Sequence, residues 1–368
     1  MTPEELRAET PGFENCTYLN TGASGPSPRR IVEAATGCLE HHEYDSPAGE
    51  GMYVTANRVY DEARGAVAEL LGTDERRVAM TQSTTDGINR IAGAVDFEPG
   101  DVVVRTDLEH SAGILPWQRL ADVNDLEVRV LETHEGRIDP DEYAEAVADA
   151  RLVCFSALTW THGTRLPVEK LVEIAHDAGA RVLVDAVQMP GQTELDVEEW
   201  GADAVAAAGH KWLLGTWGAG FLAVSPEFLA EIEPRSIGYR SVAEPDAESY
   251  AFHEGARRLE VGTTNPAPYA ALAEAIETME QVGYDTIESR IAELTDRLKE
   301  GLGEERLLSP RKYESGLVTF TDESPEKTVE RLAEQGIQVR TLPDPKAIRA
   351  SVHAINTESD IDALLEGL

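Results

Sequence analysis

Lys211 is the side chain in this sequence best placed for covalent chemistry. It lies between an apolar run and a glycine-rich turn, in the segment AGHKWLLGTWGAG that spans residues 208–220. Lysine is rare in the chain and stands only at positions 170, 211, 299, 312, 327 and 346. Partial burial lowers the pKa of an amine and frees it to condense with an aldehyde. The alternative is a structural lysine that snorkels beside a packed tryptophan.

Two further clusters each follow an apolar run. Asp185 ends the run RVLVD, where an acid can hold a heterocyclic nitrogen or a ribose hydroxyl. The ribose interpretation requires a G-x-G-x-x-G about 20 residues upstream, and none is present. Ser83, Thr84 and Thr85 open a helical pattern, where free N–H groups and the helix dipole favour a phosphate. Ordinary helix capping is the alternative there.

Together the clusters supply a phosphate cradle, an acid for a ring nitrogen and an amine for an aldehyde. Pyridoxal 5′-phosphate (PLP) carries all three complementary groups, so the sequence predicts a PLP enzyme that acts on an amino acid. A nucleotide-binding P-loop is excluded because no G-x-x-x-x-G-K-[ST] occurs.

The elements that must position these residues have an α/β pattern. Apolar runs without polar alternation indicate parallel strands buried on both faces, and helical stretches between them complete an α/β sheet. In such a sheet, ligands bind beyond the carboxyl ends of the strands. The runs span 77–82, 101–106, 126–131, 150–156, 180–186 and 202–208, and the helical stretches include 57–71, 140–149 and 167–179.

The hydrophobic pattern of the sequence changes after residue 262, and this change predicts a second, smaller domain. Two long helical patterns are followed by an apparent strand-helix-strand-helix tail over 316–367. We expect an N-terminal segment, residues 1–40, that joins the small domain, a large domain over 41–265, and a small C-terminal α/β domain over 266–368.

Composition restricts the partners and the compartment. The net charge of −36 comes from 68 acidic against 32 basic residues spread through the chain, which argues against nucleic acid or an anionic membrane as a partner. An evenly acidic, lysine-poor surface is typical of proteins adapted to high cytoplasmic salt, with an ordinary acidic enzyme as the alternative. No export signal or membrane span is recognisable, which predicts a cytoplasmic protein. Three scattered cysteines suit a reducing compartment and match no zinc spacing.

The sequence resembles the class V aminotransferase family of fold-type I PLP enzymes, which includes the cysteine desulfurases and isopenicillin N epimerase. The resemblance extends from Tyr18-Leu-Asn-Thr-Gly-Ala-Ser-Gly-Pro26 to Ile348-Arg-Ala-Ser-Val-His353. It implies a large domain with a mostly parallel sheet between helices, a smaller C-terminal domain, and a homodimer with shared sites.

The resemblance also assigns roles around the cofactor. Lys211, His110 and Asp185 match catalytic residues: the Schiff-base lysine, the histidine that stacks on the ring and the acid at the ring nitrogen. A capping or packed histidine is the alternative for His110. The other matched positions are Thr84, Thr85 and His210 for the phosphate, Gln188 for the ring hydroxyl, and Thr263 for the phosphate of the other subunit.

On the substrate side, Arg349 matches the arginine that grips a carboxylate as a bidentate clamp. Arg340 is expected to be a second contact, with a surface ion pair as the alternative. Asn20 and Trp160 complete the predicted substrate side, and Trp160 stands where desulfurases have asparagine. Ala208 replaces a serine or threonine common in the family, so we expect one phosphate contact to be lost.

The reaction is less determined than the cofactor. Desulfurases deliver a nucleophilic cysteine from a loop between the equivalents of Arg340 and Arg349, and here that loop is short and contains no cysteine. Cys16, Cys38 and Cys154 are expected to be inert. The first hypothesis is therefore an aminotransferase. The alternatives are a desulfurase-like enzyme, C–S lyase or epimerase without the loop cysteine, and a non-catalytic PLP-fold binding protein.

Overall fold

The computed structural model describes all 368 residues and is built around a seven-stranded sheet. The strands of the protein are β1 (Thr17–Tyr18), β2 (Val78–Thr81), β3 (Val102–Thr106), β4 (Glu127–Leu131), β5 (Ala150–Ser156), β6 (Arg181–Asp185), β7 (Ala204–Ala208), β8 (Gly220–Val224), β9 (Leu317–Phe320), β10 (Ile337–Gln338), β11 (Arg340–Leu342) and β12 (Ala347–Ser351). The strand order of the large sheet is β2-β8-β7-β6-β5-β3-β4, and only β8 runs against the common direction.

Helices cover both faces of this sheet. The helix predicted over 57–71 begins earlier, at Met52, and ends where predicted, at Leu71. Gly72 caps it, with a φ of +64° in the left-handed region. The helices are α1 (Pro3–Ala8), α2 (Arg29–Glu40), α3 (Met52–Leu71), α4 (Thr84–Ala94), α5 (Leu115–Asn124), α6 (Pro140–Val147), α7 (Val168–Asp177), α8 (Val197–Trp200), α9 (Pro226–Glu231), α10 (Ala267–Val282), α11 (Tyr284–Leu302), α12 (Pro325–Glu334) and α13 (Glu358–Gly367).

Successive strand residues enter two different hydrophobic cores, one on each face. On β5, Val153 and Phe155 join the larger core while Leu152 and Cys154 join the second. This alternation follows from the two-residue period of a strand. The mostly parallel α/β fold expected from the apolar runs is confirmed.

Two expectations about strands need correction. The run at 126–131 was expected to be buried on both faces, yet β4 is the edge strand and leaves Glu127 and Val130 exposed. The sequence reasoning also missed β8. A parallel crossover needs a dozen or more residues and usually a helix. The segment between β7 and β8 instead turns back directly, so β8 pairs antiparallel with β7.

A small three-stranded antiparallel sheet, β11-β12-β9, packs with α11 and α13 around a third core. The N-terminal strand β1 pairs in parallel with β10. Arg340 of β11 lies directly opposite Arg349 of β12. The predicted division at 40/41 and 265/266 stays a prediction. No helix is both long and apolar enough to cross a bilayer.

Candidate active site

Lys211 lies in a pocket at the carboxyl ends of the central strands. Two backbone hydrogen bonds hold the turn that carries it. The Gly209 N–H donates to the Ala219 carbonyl at 3.2 Å, and the Gly25 N–H donates to the His210 carbonyl at 2.8 Å. The pocket collects every predicted site residue except Thr263 and Asn20. Its predicted members are Thr84, Thr85, His110, Trp160, Asp185, Gln188, His210, Lys211, Arg340 and Arg349.

The Lys211 amine is partly neutral near physiological pH. Burial lowers its pKa to about 8, and the positive charges of Arg349 and Arg340 act in the same direction. The carboxylate of Asp185 partly opposes this shift. An amine with such a pKa is partly unprotonated at pH 7 to 8, as condensation with an aldehyde requires.

Asp185 ends β6 and is 3% exposed. One carboxylate oxygen accepts a hydrogen bond from the Val187 N–H at 3.0 Å, and no donor of the chain reaches the other. Burial raises the pKa of Asp185, while this hydrogen bond and the Lys211 charge lower it. A buried carboxylate with a free oxygen is suited to a protonated ring nitrogen.

The amino end of α4 forms the predicted phosphate cup. Ser83 caps the helix, its hydroxyl accepting from the Asp86 N–H at 3.1 Å. The Thr84 hydroxyl is buried and has no hydrogen-bond partner. Gly220 lets β8 approach this cup, because a β-carbon there would meet the Ser83 backbone at 2.8 Å. Desolvation and the Lys211 charge lower the pKa of nearby His210 to about 4, so its ring is neutral.

His110 both caps a turn and faces the pocket. Its Nδ1 accepts from the Ala112 N–H at 3.3 Å, as the capping alternative predicted. Its ring also meets Trp160 edge-on, at 5.4 Å between centroids. Desolvation, followed by the charge of Lys211, lowers the pKa of His110 to about 4. The ring of His110 is therefore neutral at the pocket wall.

Glu109 is a buried acid that the sequence reasoning missed. It accepts from the Thr106 hydroxyl at 2.6 Å and from the Ser156 hydroxyl at 2.7 Å. Burial raises its pKa to about 7. Ser156 lies beside Asp185 in the sheet register, so Glu109 supports the floor of the pocket. Its position directly before His110, just past a strand, was the available signal.

Gln188 connects the lysine turn to the N-terminal segment. Its amide donates to the Gly22 carbonyl at 3.0 Å and accepts from the Trp212 indole at 2.8 Å. An amide nitrogen carries two hydrogens, so one remains for the predicted ring hydroxyl.

Arg349 is fully buried and presents one free edge. Its Nη1 donates to the Trp160 carbonyl at 2.9 Å, while Nε and Nη2 have no partner. A β-carbon at Gly22 would lie 3.3 Å from Nη2, so glycine keeps this edge open. Two parallel N–H groups on one guanidinium match a carboxylate.

Two predicted residues lie outside this pocket. Thr263 faces a second cavity shared with Tyr60, Gln82 and Arg90, and its hydroxyl is 3.0 Å from that of Tyr239. Asn20 bridges to Ser351 and keeps a buried side-chain oxygen without a donor. Within this chain, neither residue lines the pocket of Lys211.

No thiol reaches the pocket. Cys154 is fully buried in β5, and burial raises its pKa well above the ordinary value. Burial also raises the pKa of Cys16 and of Cys38. The turn between β11 and β12 has only four residues, Pro343 to Lys346.

The side chains that line the pocket match the functional groups of PLP. The buried Thr84 hydroxyl at the phosphate cup has no hydrogen-bond partner, Asp185 has one carboxylate oxygen without a donor, and the pKa of Lys211 is lowered. These groups suit the phosphate, the ring nitrogen and the aldehyde, respectively.

Comparison with known proteins agrees with this geometry. The model of the family "Aminotransferase class-V" matches residues 17–364. The chain belongs to this family. It is 32% identical to a probable cysteine desulfurase of Methanothermobacter thermautotrophicus, covering 100% of this chain and 98% of that protein. It is also 32% identical to isopenicillin N epimerase of Streptomyces clavuligerus, covering 99% and 97%.

Among solved structures, the chain superposes with a TM-score of 0.92 on the cystine C–S lyase C-DES in complex with its product cysteine persulfide. The two are 29% identical, with 97% of this chain and 98% of the lyase covered. A variant of C-DES holds glycine covalently linked to its PLP cofactor. The family member described here is thus a PLP-dependent enzyme with the fold-type I architecture. These relatives favour the C–S-cleaving alternative over transamination, which stays an untested prediction.

Proposed function

We propose that this enzyme is a PLP-dependent C–S lyase that acts on an amino acid with a sulfur substituent at Cβ. One observation carries the proposal: Lys211, Asp185 and Arg349 share a pocket that no cysteine of the chain reaches. Sulfur transfer through a protein thiol has no nucleophile here. Direct elimination needs none, and the structurally similar C-DES cleaves cystine.

The proposed roles follow from the positions of the side chains. Bound PLP would supply an electron sink for charge that develops at the substrate Cα. Arg349 would hold the α-carboxylate on its free edge. The Lys211 amine would remove the Cα proton, and Asp185 would keep the ring nitrogen protonated. Thr84, Thr85 and His210 would hold the phosphate, Gln188 the ring hydroxyl, and His110 one face of the ring.

The proposed elimination balances without an added oxidant or reductant. The Cα proton passes to Lys211, the Cβ–S bond breaks and its electron pair leaves with sulfur. The three-carbon fragment leaves as Lys211 returns to its resting position, and water then hydrolyses this fragment to pyruvate and ammonia. For a disulfide substrate, one water is consumed and a persulfide, pyruvate and ammonia are formed.

We also propose a cytoplasmic, salt-adapted homodimer. Thr263 lies away from its own Lys211, at a cavity that contains Arg90 and Gln82 near the cup. A residue that cannot serve its own site and matches a phosphate contact supports a site completed by the partner subunit.

The test is a product analysis of the holoenzyme with cystine, cysteine, alanine and aspartate. The proposal expects pyruvate and ammonia in equal amounts, with persulfide or sulfide, from sulfur substrates alone. Replacing all three cysteines by alanine should leave this rate within about twofold, because none of the three thiols lines the pocket. Lys211→Ala should abolish the reaction.

Two results would contradict the proposal. Pyridoxamine phosphate with a keto acid that keeps the substrate side chain would establish transamination. Loss of sulfur release in the cysteine-free variant, with the fold intact by circular dichroism, would establish a protein-thiol route.

A further inference from the structure

Glu109 is a buried acid with no cation beside it. The residue is 4% exposed, and no lysine or arginine forms an ion pair with it. Its carboxyl group instead accepts three hydrogen bonds, from the Thr106 hydroxyl at 2.6 Å, the Ser156 N–H at 3.2 Å and the Ser156 hydroxyl at 2.7 Å. A buried carboxylate without a cation is costly, so packing alone does not explain an acid at this place.

The strand register brings Glu109 close to Asp185. Ser156 ends β5 and pairs with Asp185, which ends β6. Neighbouring strands lie about 4.8 Å apart, so the residue that Glu109 holds is the direct neighbour of Asp185. The charges of both acids also raise the pKa of Cys154, two positions before Ser156 on β5. Two carboxyl groups therefore share the floor of the pocket.

Two neighbouring buried carboxyl groups do not both ionise easily. Burial, followed by the Asp185 charge, raises the pKa of Glu109 to about 7, against the hydrogen bonds that lower it. Burial also raises the pKa of Asp185, but a hydrogen bond from Val187 and the charge of Lys211 lower it. Below about pH 7 the proton of the pair therefore resides on Glu109, and Asp185 is the carboxylate.

The other titratable groups around Glu109 do not supply a cation. Arg105 of β3 donates to a main-chain carbonyl of its own strand at 2.9 Å. Cys154 is a neutral thiol, because burial raises its pKa well above the ordinary value. His110, next in the chain, is neutral because desolvation lowers its pKa to about 4. A change of charge at Asp185 is therefore the event to which Glu109 can respond.

We propose that Glu109 is a positioning residue whose protonation follows the occupancy of Asp185. It is a neutral acid while Asp185 is free, and it releases its proton to solvent when a cationic ring nitrogen binds Asp185. The positive nitrogen offsets the carboxylate field that favours the proton on Glu109. The ionised Glu109 then adds a second negative charge near the ring contact. This inference rests on the ring contact proposed for Asp185 and is independent of which substrate bond is cleaved.

Proton linkage sets the direction of the effect. Binding that releases a proton becomes tighter as the pH rises. At acid pH Glu109 is neutral with or without the ligand, and it does not change the affinity. At alkaline pH it is a carboxylate in both states, and its charge favours the cationic nitrogen. A lowering of the Glu109 pKa by about one unit on binding corresponds to about tenfold in affinity across this range.

The probe is 4-deoxypyridoxine 5′-phosphate, which keeps the ring nitrogen and the phosphate but lacks the aldehyde that Lys211 would attack. Tryptophan fluorescence gives its dissociation constant for the full-length apoenzyme, as wild type and as Glu109→Gln, between pH 5.5 and 8.5. Glutamine keeps an acceptor oxygen for Ser156 and has no proton to release. The two proteins should bind alike at pH 5.5, and the wild type should bind about tenfold more tightly at pH 8.5.

Two controls assign the effect. Benzyl phosphate has the phosphate without a ring nitrogen, so it should show no pH-dependent difference between the two proteins. Ser156→Ala leaves Glu109 in place and removes one donor to its carboxylate, which raises the Glu109 pKa. The gain in affinity should then begin at higher pH, and this measurement does not depend on the folding of Glu109→Gln.

Three results would overturn the inference. A constant ratio between wild type and Glu109→Gln across the pH range would make Glu109 only a brace for Ser156. The same pH-dependent ratio with benzyl phosphate would assign the response to the phosphate. A ratio that persists in an Asp185→Asn background would remove Asp185 from the coupling. Product analysis measures none of these constants, so the lyase proposal and this inference can fail separately.

Discussion

At the scale of single residues, the environment of Lys211 gives its amine an unusual titration. Burial and two arginines lower the pKa to about 8, and Asp185 alone acts against them. Because only the neutral amine attacks an aldehyde, capture of PLP by the apoenzyme should depend on this pKa.

The rate of PLP capture should rise with pH and level off above about 8. An ordinary lysine would still gain reactivity near pH 10. The measurement is stopped-flow absorbance of the Schiff-base band across pH 6 to 10.5. In Asp185→Asn the midpoint should move to lower pH, because the charge that raises the lysine pKa is gone. A midpoint near 10 in the wild type would contradict the assignment of Lys211.

Site residues that stand at or just after an apolar run could be predicted from the sequence. Lys211, Asp185 and Thr84 each follow an apolar run, and parallel strands bring their carboxyl ends together. Glu109 was missed because its burial depends on Ser156, 47 positions away. Arg340 lines the pocket and does not form the surface ion pair considered for it. This was equally hidden, since the sequence does not show which carboxylates a folded arginine can reach.

At the scale of elements, close backbone contacts fix the lysine turn. Gly191 has a φ of +96°, and a β-carbon there would lie 2.3 Å from the Trp212 carbonyl group. Trp212 follows Lys211 in the chain, so this glycine sets the path of the turn. The direction of β8 depends on the same turn and was likewise not evident from sequence.

Replacing Gly191 by alanine should therefore damage stability and cofactor binding together. Gly179→Ala is the matched control, because its φ is +83° and no atom lies within 4 Å of an added β-carbon. We expect the control to lose about 1–2 kcal/mol of unfolding free energy from backbone strain. Gly191→Ala should lose a further ~1–3 kcal/mol from overpacking. Urea unfolding and PLP titration measure both, and equal losses in the two variants would refute the close-contact argument.

At the scale of the whole molecule, the net charge of −36 should make the folding stability depend on salt concentration. Screening lengths fall from about 10 Å at 0.1 M to about 3 Å at 1 M salt. The buried group of Arg64, Glu260 and Arg240, with Arg240 Nη2 2.6 Å from the Glu260 carboxylate, is shielded from such screening. The repulsion between exposed acidic side chains lies in solvent, so added salt screens it.

The thermal midpoint should rise between 0.1 and 2 M KCl, because screening removes repulsion in the compact state. Glycerol at matched osmolality is the control for solvent exclusion and should not reproduce the full effect. Differential scanning calorimetry provides the measurement. Full stability without added salt would leave an ordinary acidic enzyme as the better description.

A mixing experiment tests the proposed shared site. Lys211→Ala and Thr263→Asp should each be nearly inactive as homodimers, the second because a carboxylate repels the phosphate. Refolded together, they form heterodimers in which one site has both native residues. Activity should recover to about a quarter of wild type if sites are shared across a two-fold axis. No recovery in mixtures that contain heterodimer by mass spectrometry would argue for self-contained sites.

The four-residue turn between β11 and β12 has a consequence for where the sulfur goes. With no thiol on this turn, the proposed reaction never stores sulfur on the polypeptide. Each turnover would release it on a diffusible small molecule, whose lifetime depends on thiols in the surrounding solution. A protein acceptor would then find no enzyme-bound sulfur at the pocket. Delivery of the sulfur would depend on the reactivity of the released small molecule and would not require a docked partner protein.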